Sequence, residues 1–175
     1  EVQAASAYAK ENVENGLSVT WYNNTAFVDS GAGSVVRKIG KECGFRFETE
    51  TPFAVEVTGT VSMENQGAYQ FLCNFTGTSL AYVWLDGHLV CHDGKAMGLL
   101  PKTKFDSTLF ISENKTGSYP FRIRALYNGT EGGTKLPKSL PPTSVSVHVA
   151  WNVSGVVSQI PTAALLPFFP PLEKK

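Results

Sequence analysis

The chain reads as an all-β protein, an antiparallel β-barrel or sandwich preceded by a short N-terminal helix or extension. Apolar residues recur with a period of two rather than 3.6 over most of the length. Gly- and Asn-rich turns separate these short runs, as in sandwiches and barrels. The one stretch with helical propensity is the Ala-rich segment 3–13, stopped by Asn15-Gly16.

The elements follow in order. After Gly16, an aromatic-ended run closes with Trp21-Tyr22, and the Asn23-Asn24 pair ends it. The segment Asp29-Ser-Gly-Ala-Gly-Ser34 is Gly-rich but lacks the lysine and the strand-to-helix setting of a phosphate loop, so a mobile loop is expected. Phe53, Val55 and Val57 alternate with Ala54, Glu56 and Thr58; Tyr69, Phe71, Cys73 and Phe75 alternate with Gln70, Leu72 and Asn74. Asp86-Gly87 is a two-residue hairpin signal between the apolar runs 81–85 and 89–91. Further on, Phe121, Ile123, Ala125 and Tyr127 oppose Arg122, Arg124 and Leu126, while Val145, Val147, Val149 and Trp151 oppose Ser144, Ser146, His148 and Ala150. The segment from Pro161 is Pro-rich and apolar; its first part is expected to lie across the barrel, and the end to form a linker or exposed terminus. Exposure of Phe168 and Phe169 together would point to packing on another domain or chain.

The 175 residues fit one domain with tails: an extension at 1–15, a β-domain at 16–166 and a Pro-rich tail or linker at 167–175. At this length folding buries roughly 70% of the unfolded chain's surface, enough for a self-sufficient core. Fifteen basic residues balance fifteen acidic ones, and no basic run marks a nucleic-acid footprint, so no nucleic-acid partner is expected. Prolines break the best apolar stretch, 156–172, and no membrane span is expected.

Asn-x-Ser/Thr occurs at Asn23, Asn74, Asn114, Asn128 and Asn152, where chance would supply roughly 1.5 such motifs. A secreted or cell-surface glycoprotein is the expectation. A glycan cannot enter a packed core, and Asn74, Asn128 and Asn152 each fall on the polar parity of their own strand. Asn114 lies in a turn, and Asn23 requires its strand to end at Tyr22. Of the three cysteines, Cys73 and Cys91 are the preferred disulfide pair, both in apolar strand-like segments; pairing through Cys43 stays open. The unpaired cysteine is expected to be a buried thiol.

Catalytic constellations are not marked. Glu48, Glu50, Glu56 and Glu64 form no evident converging pair, and no G-x-S-x-G elbow occurs, so no enzyme activity is expected. His88, Cys91, His92 and Asp93 are the densest group of potential metal ligands. On a regular strand, however, His88 and His92 share a face with Val90 while Cys91 faces the other way, so no metal site is expected without a bulge.

The run Phe53-Ala-Val-Glu-Val-Thr-Gly59-Thr, then Gly67-Ala-Tyr69-Gln-Phe71, then Ala81-Tyr-Val-Trp84-Leu-Asp86-Gly87-His-Leu-Val90 resembles the β-barrel module named after anthrax protective antigen. Gly16-Leu17 with Trp21-Tyr22-Asn23 and Trp151 with Gln159-Ile160-Pro161 and Leu165 extend the likeness over residues 16–166. That family also occurs in secreted glycosidases, flocculins and other adhesins. Its sugar-binding adhesins hold calcium on two adjacent aspartates just before the Trp84-type strand; here Thr78-Ser79 or their neighbours stand there. Two hydroxyls are weak substitutes for two anionic ligands, so neither calcium nor any other cofactor is expected.

The resemblance implies a non-catalytic recognition or adhesion module whose partner is a glycan or a cell-surface glycoprotein. Thr78, Ser79, Tyr82, Trp84, Asp86 and Asp93 are the expected ligand-binding residues. Tyr82 and Trp84 share one parity and form an outward platform if Val83 and Leu85 are core; the reverse reading buries Trp84. Trp21, Tyr22, Tyr127 and Trp151 are expected to pack in the core or at its ends. The alternatives are a structural module docking another protein chain or domain through the C-terminal tail, and an accessory domain of a glycosidase whose catalytic domain lies outside this chain.

Overall fold

The computed structural model describes residues 14–31, 33–49, 51–93, 108–128, 130–131, 134–135 and 143–167. The expected helix at 3–13 and the Phe168-Phe169 pair lie outside these residues. Fourteen strands run along the described chain: β1 (Leu17–Tyr22), β2 (Val35–Gly40), β3 (Gly44–Thr49), β4 (Phe53–Met63), β5 (Gly67–Thr76), β6 (Leu80–Leu85), β7 (His88–Asp93), β8 (Thr108–Ile111), β9 (Gly117–Tyr127), β10 (Thr130–Glu131), β11 (Thr134–Lys135), β12 (Thr143–Val153), β13 (Val156–Gln159) and β14 (Leu165–Leu166).

Two antiparallel sheets form a sandwich. The larger has the order β2-β1-β4-β9-β6-β7, with β14 also paired to β4; the smaller has the order β13-β12-β5-β8, with β3 paired to β12. A separate ribbon joins β10 and β11. The long central strands have the residue types that suit a half-buried pleat, β-branched and aromatic on one parity. Val55, Val57, Val83, Ile123 and Val147 are fully buried between the sheets. Aromatic rings close the two ends of this core. Phe53 meets Trp21, Phe47 and Tyr127 at one end, and Tyr69 meets Trp151 edge-on at 5.3 Å at the other. The buried Tyr69 hydroxyl donates to the Asn65 carbonyl at 2.9 Å, so its polar atom has a partner.

Cys73 on β5 and Cys91 on β7 are disulfide-bonded with Cα atoms 6.5 Å apart, tying the two sheets together. Cys43 is a buried free thiol. The segment after Pro161 crosses back as a short 3-10 turn, Thr162–Ala164, and then β14, with Leu165 fully buried. Close approach there depends on Gly59: a Cβ at that position would lie 2.2 Å from the Leu166 carbonyl oxygen.

Three expectations from alternation fail locally, at Ala54, Ser146 and Val90. Ala54 shares parity with Glu56 and Thr58 yet is fully buried, flanked in register by Tyr22 and Leu126 on a central strand. Ser146 is buried too, because β12 is flanked there by both β3 and β5. Residues 29–34 are an organised loop in their described part: Asp29 Oδ1 accepts from Gly31 N–H at 3.2 Å and from the buried Ser34 hydroxyl at 2.9 Å. These bonds hold the Asp29 carboxyl below its usual value. Finally, Val90 does not share the face of His92. The register shifts between Val83 and Trp84, which pair with Cys91 and Leu89, so Val90 is a bulged residue and is buried.

Candidate functional site

The β6-β7 hairpin and the loop leading into it carry all six expected binding residues, but at three places. Asp86 and Gly87 form the tip, with φ of 50° and 77°. Positive φ at both positions is the geometry of a type I′ turn, and Asp86 N–H is held by the Pro120 carbonyl at 2.8 Å. Thr78, Ser79 and Asp93 lie at the opposite end, since Ala81 pairs with Asp93 and Leu85 with His88. A six-residue strand spans roughly 20 Å, so Asp86 does not join the Thr78 loop as the sequence grouping expects.

At that loop end the polar side chains bond one another. Thr78 Oγ1 donates to Asp93 Oδ2 at 2.7 Å. Ser79 Oγ donates to Asn128 Oδ1 at 2.9 Å and accepts from Asn128 N–H at 3.0 Å. The described donors here are one carboxylate, one amide oxygen and two hydroxyls, and they do not fit a calcium ion, which wants six to eight hard oxygens with carboxylates among them. Among the described residues no group of three or more His, Cys, Asp and Glu is placed to hold a metal. The bulge that a His88-Cys91-His92 site requires is present, but the Cys91 sulfur is engaged in the disulfide.

Between the two ends lies the third place. Val83 and Leu85 are buried, so Tyr82 and Trp84 face outward, half-buried. Their rings stack with centroids 5.5 Å apart and planes 28° from parallel. The outward reading of this pair is therefore the one the fold adopts. In register beside them on β9 stand Arg124, opposite Tyr82, and Arg122, opposite Trp84; the next strand brings Glu56 opposite Arg124. Glu56 Oε2 takes both cations, Arg122 Nη2 at 2.9 Å and Arg124 Nε at 3.2 Å. The Arg122 guanidinium also lies 5.7 Å from the Trp84 ring centre, and that of Arg124 lies 4.0 Å from Phe27. Phe27 in turn meets Tyr22 edge-on. Rings and charges thus run unbroken across the outer face of the larger sheet.

Trp151 and Tyr127 are buried, and Trp21 packs on the core, as expected. Reading the sequence alone missed Phe27, Glu56, Arg122 and Arg124 as members of one surface. The parity of Arg122 and Arg124 was the available signal; their register with Glu56 on β4 and with Tyr82 and Trp84 on β6 was not.

By sequence, no family model matches the chain, and no curated protein matches it. By structure, it is similar to an anti-sigma factor domain-containing protein from Clostridium clariflavum, with a TM-score of 0.62 and 16% identity over 92% of this chain. It is similar to a PA14 sugar-binding domain from an RTX adhesin, with a TM-score of 0.56 and 11% identity over 87% of this chain and 98% of that one. A third is the Epithelial Adhesin 6 A domain from Candida glabrata, solved with Galb1-3GlcNAc, with a TM-score of 0.54 and 11% identity over 90% and 88% of the two chains. The chain has a PA14-like fold. It spans half the length of the Clostridium protein and 18% of a Kluyveromyces marxianus β-glucosidase that it also matches.

Proposed function

We propose that this chain is a non-catalytic, extracellular recognition or adhesion module of the protective-antigen type that binds glycans without calcium. The observation that carries the reading is the outward, half-buried Tyr82-Trp84 aromatic pair flanked by charged hydrogen-bonding groups. Sugar rings present apolar C–H faces that lie on such aromatics, while their hydroxyls reach the polar rim. The PA14-like fold shared with sugar-binding adhesin domains supports the same reading. The disulfide and the placement of the five glycosylation motifs support an oxidising, extracellular setting: Asn23, Asn74, Asn114 and Asn128 are exposed and Asn152 is half-buried.

The test is a glycan array with the folded protein, followed by calorimetry of each hit with Trp84→Ala, with and without EDTA. Binding that survives EDTA and weakens at least tenfold in W84A is the expected result. Silence across the array, or binding indifferent to Trp84, overturns the reading. The match to part of a β-glucosidase supports a second reading, an accessory domain within a larger secreted enzyme; the full-length precursor sequence decides it.

A further inference from the structure

The stacked rings do not stand alone on their face, and the groups beside them carry a charge preference. Two guanidinium groups converge on the single carboxylate oxygen Glu56 Oε2. One carboxylate neutralises one of them, so this cluster holds one surplus positive charge. The two side chains are about a third to a half exposed, 47% for Arg122 and 36% for Arg124, although Arg124 Nε itself is buried. Their donors are spread along β9, in register with Trp84 and Tyr82 on the next strand. Arginine presents up to five N–H donors in a planar fork, more than one shared carboxylate oxygen can accept. A carboxylate or sulfate is the group that matches the remainder.

The chain's own glycosylation motifs are kept off the strands of this face, although Asn23 directly follows Tyr22 at its rim. The two that lie within strands, Asn74 on β5 and Asn152 on β12, are both on the smaller sheet. Asn23 and Asn128 follow the ends of β1 and β9, and no motif lies within a strand of the larger sheet. At the loop end, by contrast, Asn128 is itself bonded to Ser79, so a glycan there would crowd the Thr78-Ser79-Asp93 group.

We infer that the outer face of the larger sheet takes an acidic saccharide, with a sugar ring on the Trp84-Tyr82 stack and its carboxylate or sulfate on Arg122 and Arg124. The inference rests on the glycan-binding reading above and adds the chemical class of the ligand. It also places recognition on the sheet face and away from the Thr78 loop.

The experiment compares matched probes on the intact chain by calorimetry: tetragalacturonic acid, its neutral methyl ester, and a heparin-derived tetrasaccharide as the sulfated arm. The acid should bind at least tenfold more tightly than its ester, with an affinity that falls as salt is raised. Arg122→Gln and Arg124→Gln should each weaken the acidic probe at least fivefold more than they weaken the ester. Glu56→Gln releases the second guanidinium and should tighten the acidic probes, the opposite sign from an ordinary loss of a binding residue. Because Glu56→Gln removes an ion pair, its thermal midpoint is recorded alongside, and a folded variant that binds more weakly counts against the inference. Preference for the sulfated over the carboxylated arm, or the reverse, identifies the anion, and either supports the inference. Equal binding of acid and ester, or equal loss of both in the arginine variants, overturns it. A neutral array hit that still depends on Trp84 would leave the glycan-binding reading standing in that event.

Discussion

The outer faces of the two sheets are made by the same alternation, yet they carry different things. On the larger sheet, Phe27, Arg124, Glu56, Arg122, Trp84 and Tyr82 form one connected surface of rings and charges. On the smaller sheet, the outward positions of β5 and β12 hold Gln70, Leu72, Asn74, His148 and Ala150, with no Phe, Tyr or Trp among them, and the exposed Phe110 stands apart on β8. Both strand-borne glycosylation motifs are there too. The lesson is that alternation sets which side chains leave the core, while cross-strand register decides whether they make a site.

Removing the covalent tie between the sheets is the largest perturbation of this arrangement. The Cys73→Ala, Cys91→Ala double variant should lose about 3 kcal/mol, the chain-entropy value for a loop of this size, and its midpoint in guanidinium titration should drop accordingly. A glycan-binding face confined to one sheet should keep its affinity in the folded fraction; loss of affinity in that fraction would mean both faces contribute.

Gly59→Ala sets a Cβ against the Leu166 carbonyl, and overpacking of this kind costs about 2 kcal/mol. Limited proteolysis should then cut around residues 163–167 faster than in the parent, with the inner rows of β4 and β9 still protected from hydrogen exchange.

Paired surface substitutions sharpen the contrast most directly. Trp84→Ala and Leu72→Ser should each leave stability within about 0.5–1 kcal/mol of the parent, measured by denaturant midpoint. Only the first should alter saccharide affinity. Equal effects of the two would erase the distinction between the faces.

The smallest effects are in pH. The Asp29 carboxyl has its value lowered by the Gly31 and Ser34 bonds, so its contribution is present above the unfolded carboxylate range and is lost as pH falls through the lowered value. The loop bearing Phe27 should loosen there, seen as faster amide exchange at Gly31 and Ser34. Burial pushes the Cys43 thiol up. That contribution is complete below the unfolded thiol value of about 8.5 and fades as pH rises above it. Native protein at pH 8 should resist iodoacetamide at Cys43, and label only on unfolding.

Much of the fold was legible because its signals are local. Phe121 to Tyr127 and Val145 to Trp151 show their inward parity in sequence, Asp86-Gly87 specifies its own turn, and Cys73 with Cys91 sits on strands that face each other across the core. Where reading failed, the cause was non-local. Val90 changes sides at a bulge that depends on pairing with Val83 and Trp84. Ala54 and Ser146 are covered by neighbours that alternation does not see. The Glu56-Arg122 bond joins residues 66 apart in sequence, so periodicity placed each on the outside without showing that they meet. Asp86 was grouped with Thr78 from nearness in the chain, although a whole strand separates them.

Gly16 N–H donates to the Leu165 carbonyl at 2.9 Å, and Asn15 Nδ2 reaches the Ala163 carbonyl at 3.1 Å. The two ends of the described β-sandwich are therefore one hydrogen bond apart. A unit with that geometry can be spliced into a surface loop of a host protein without stretching the host's own chain. The same geometry lets successive copies hang from a backbone like beads, each presenting its ring-and-charge face independently of the next.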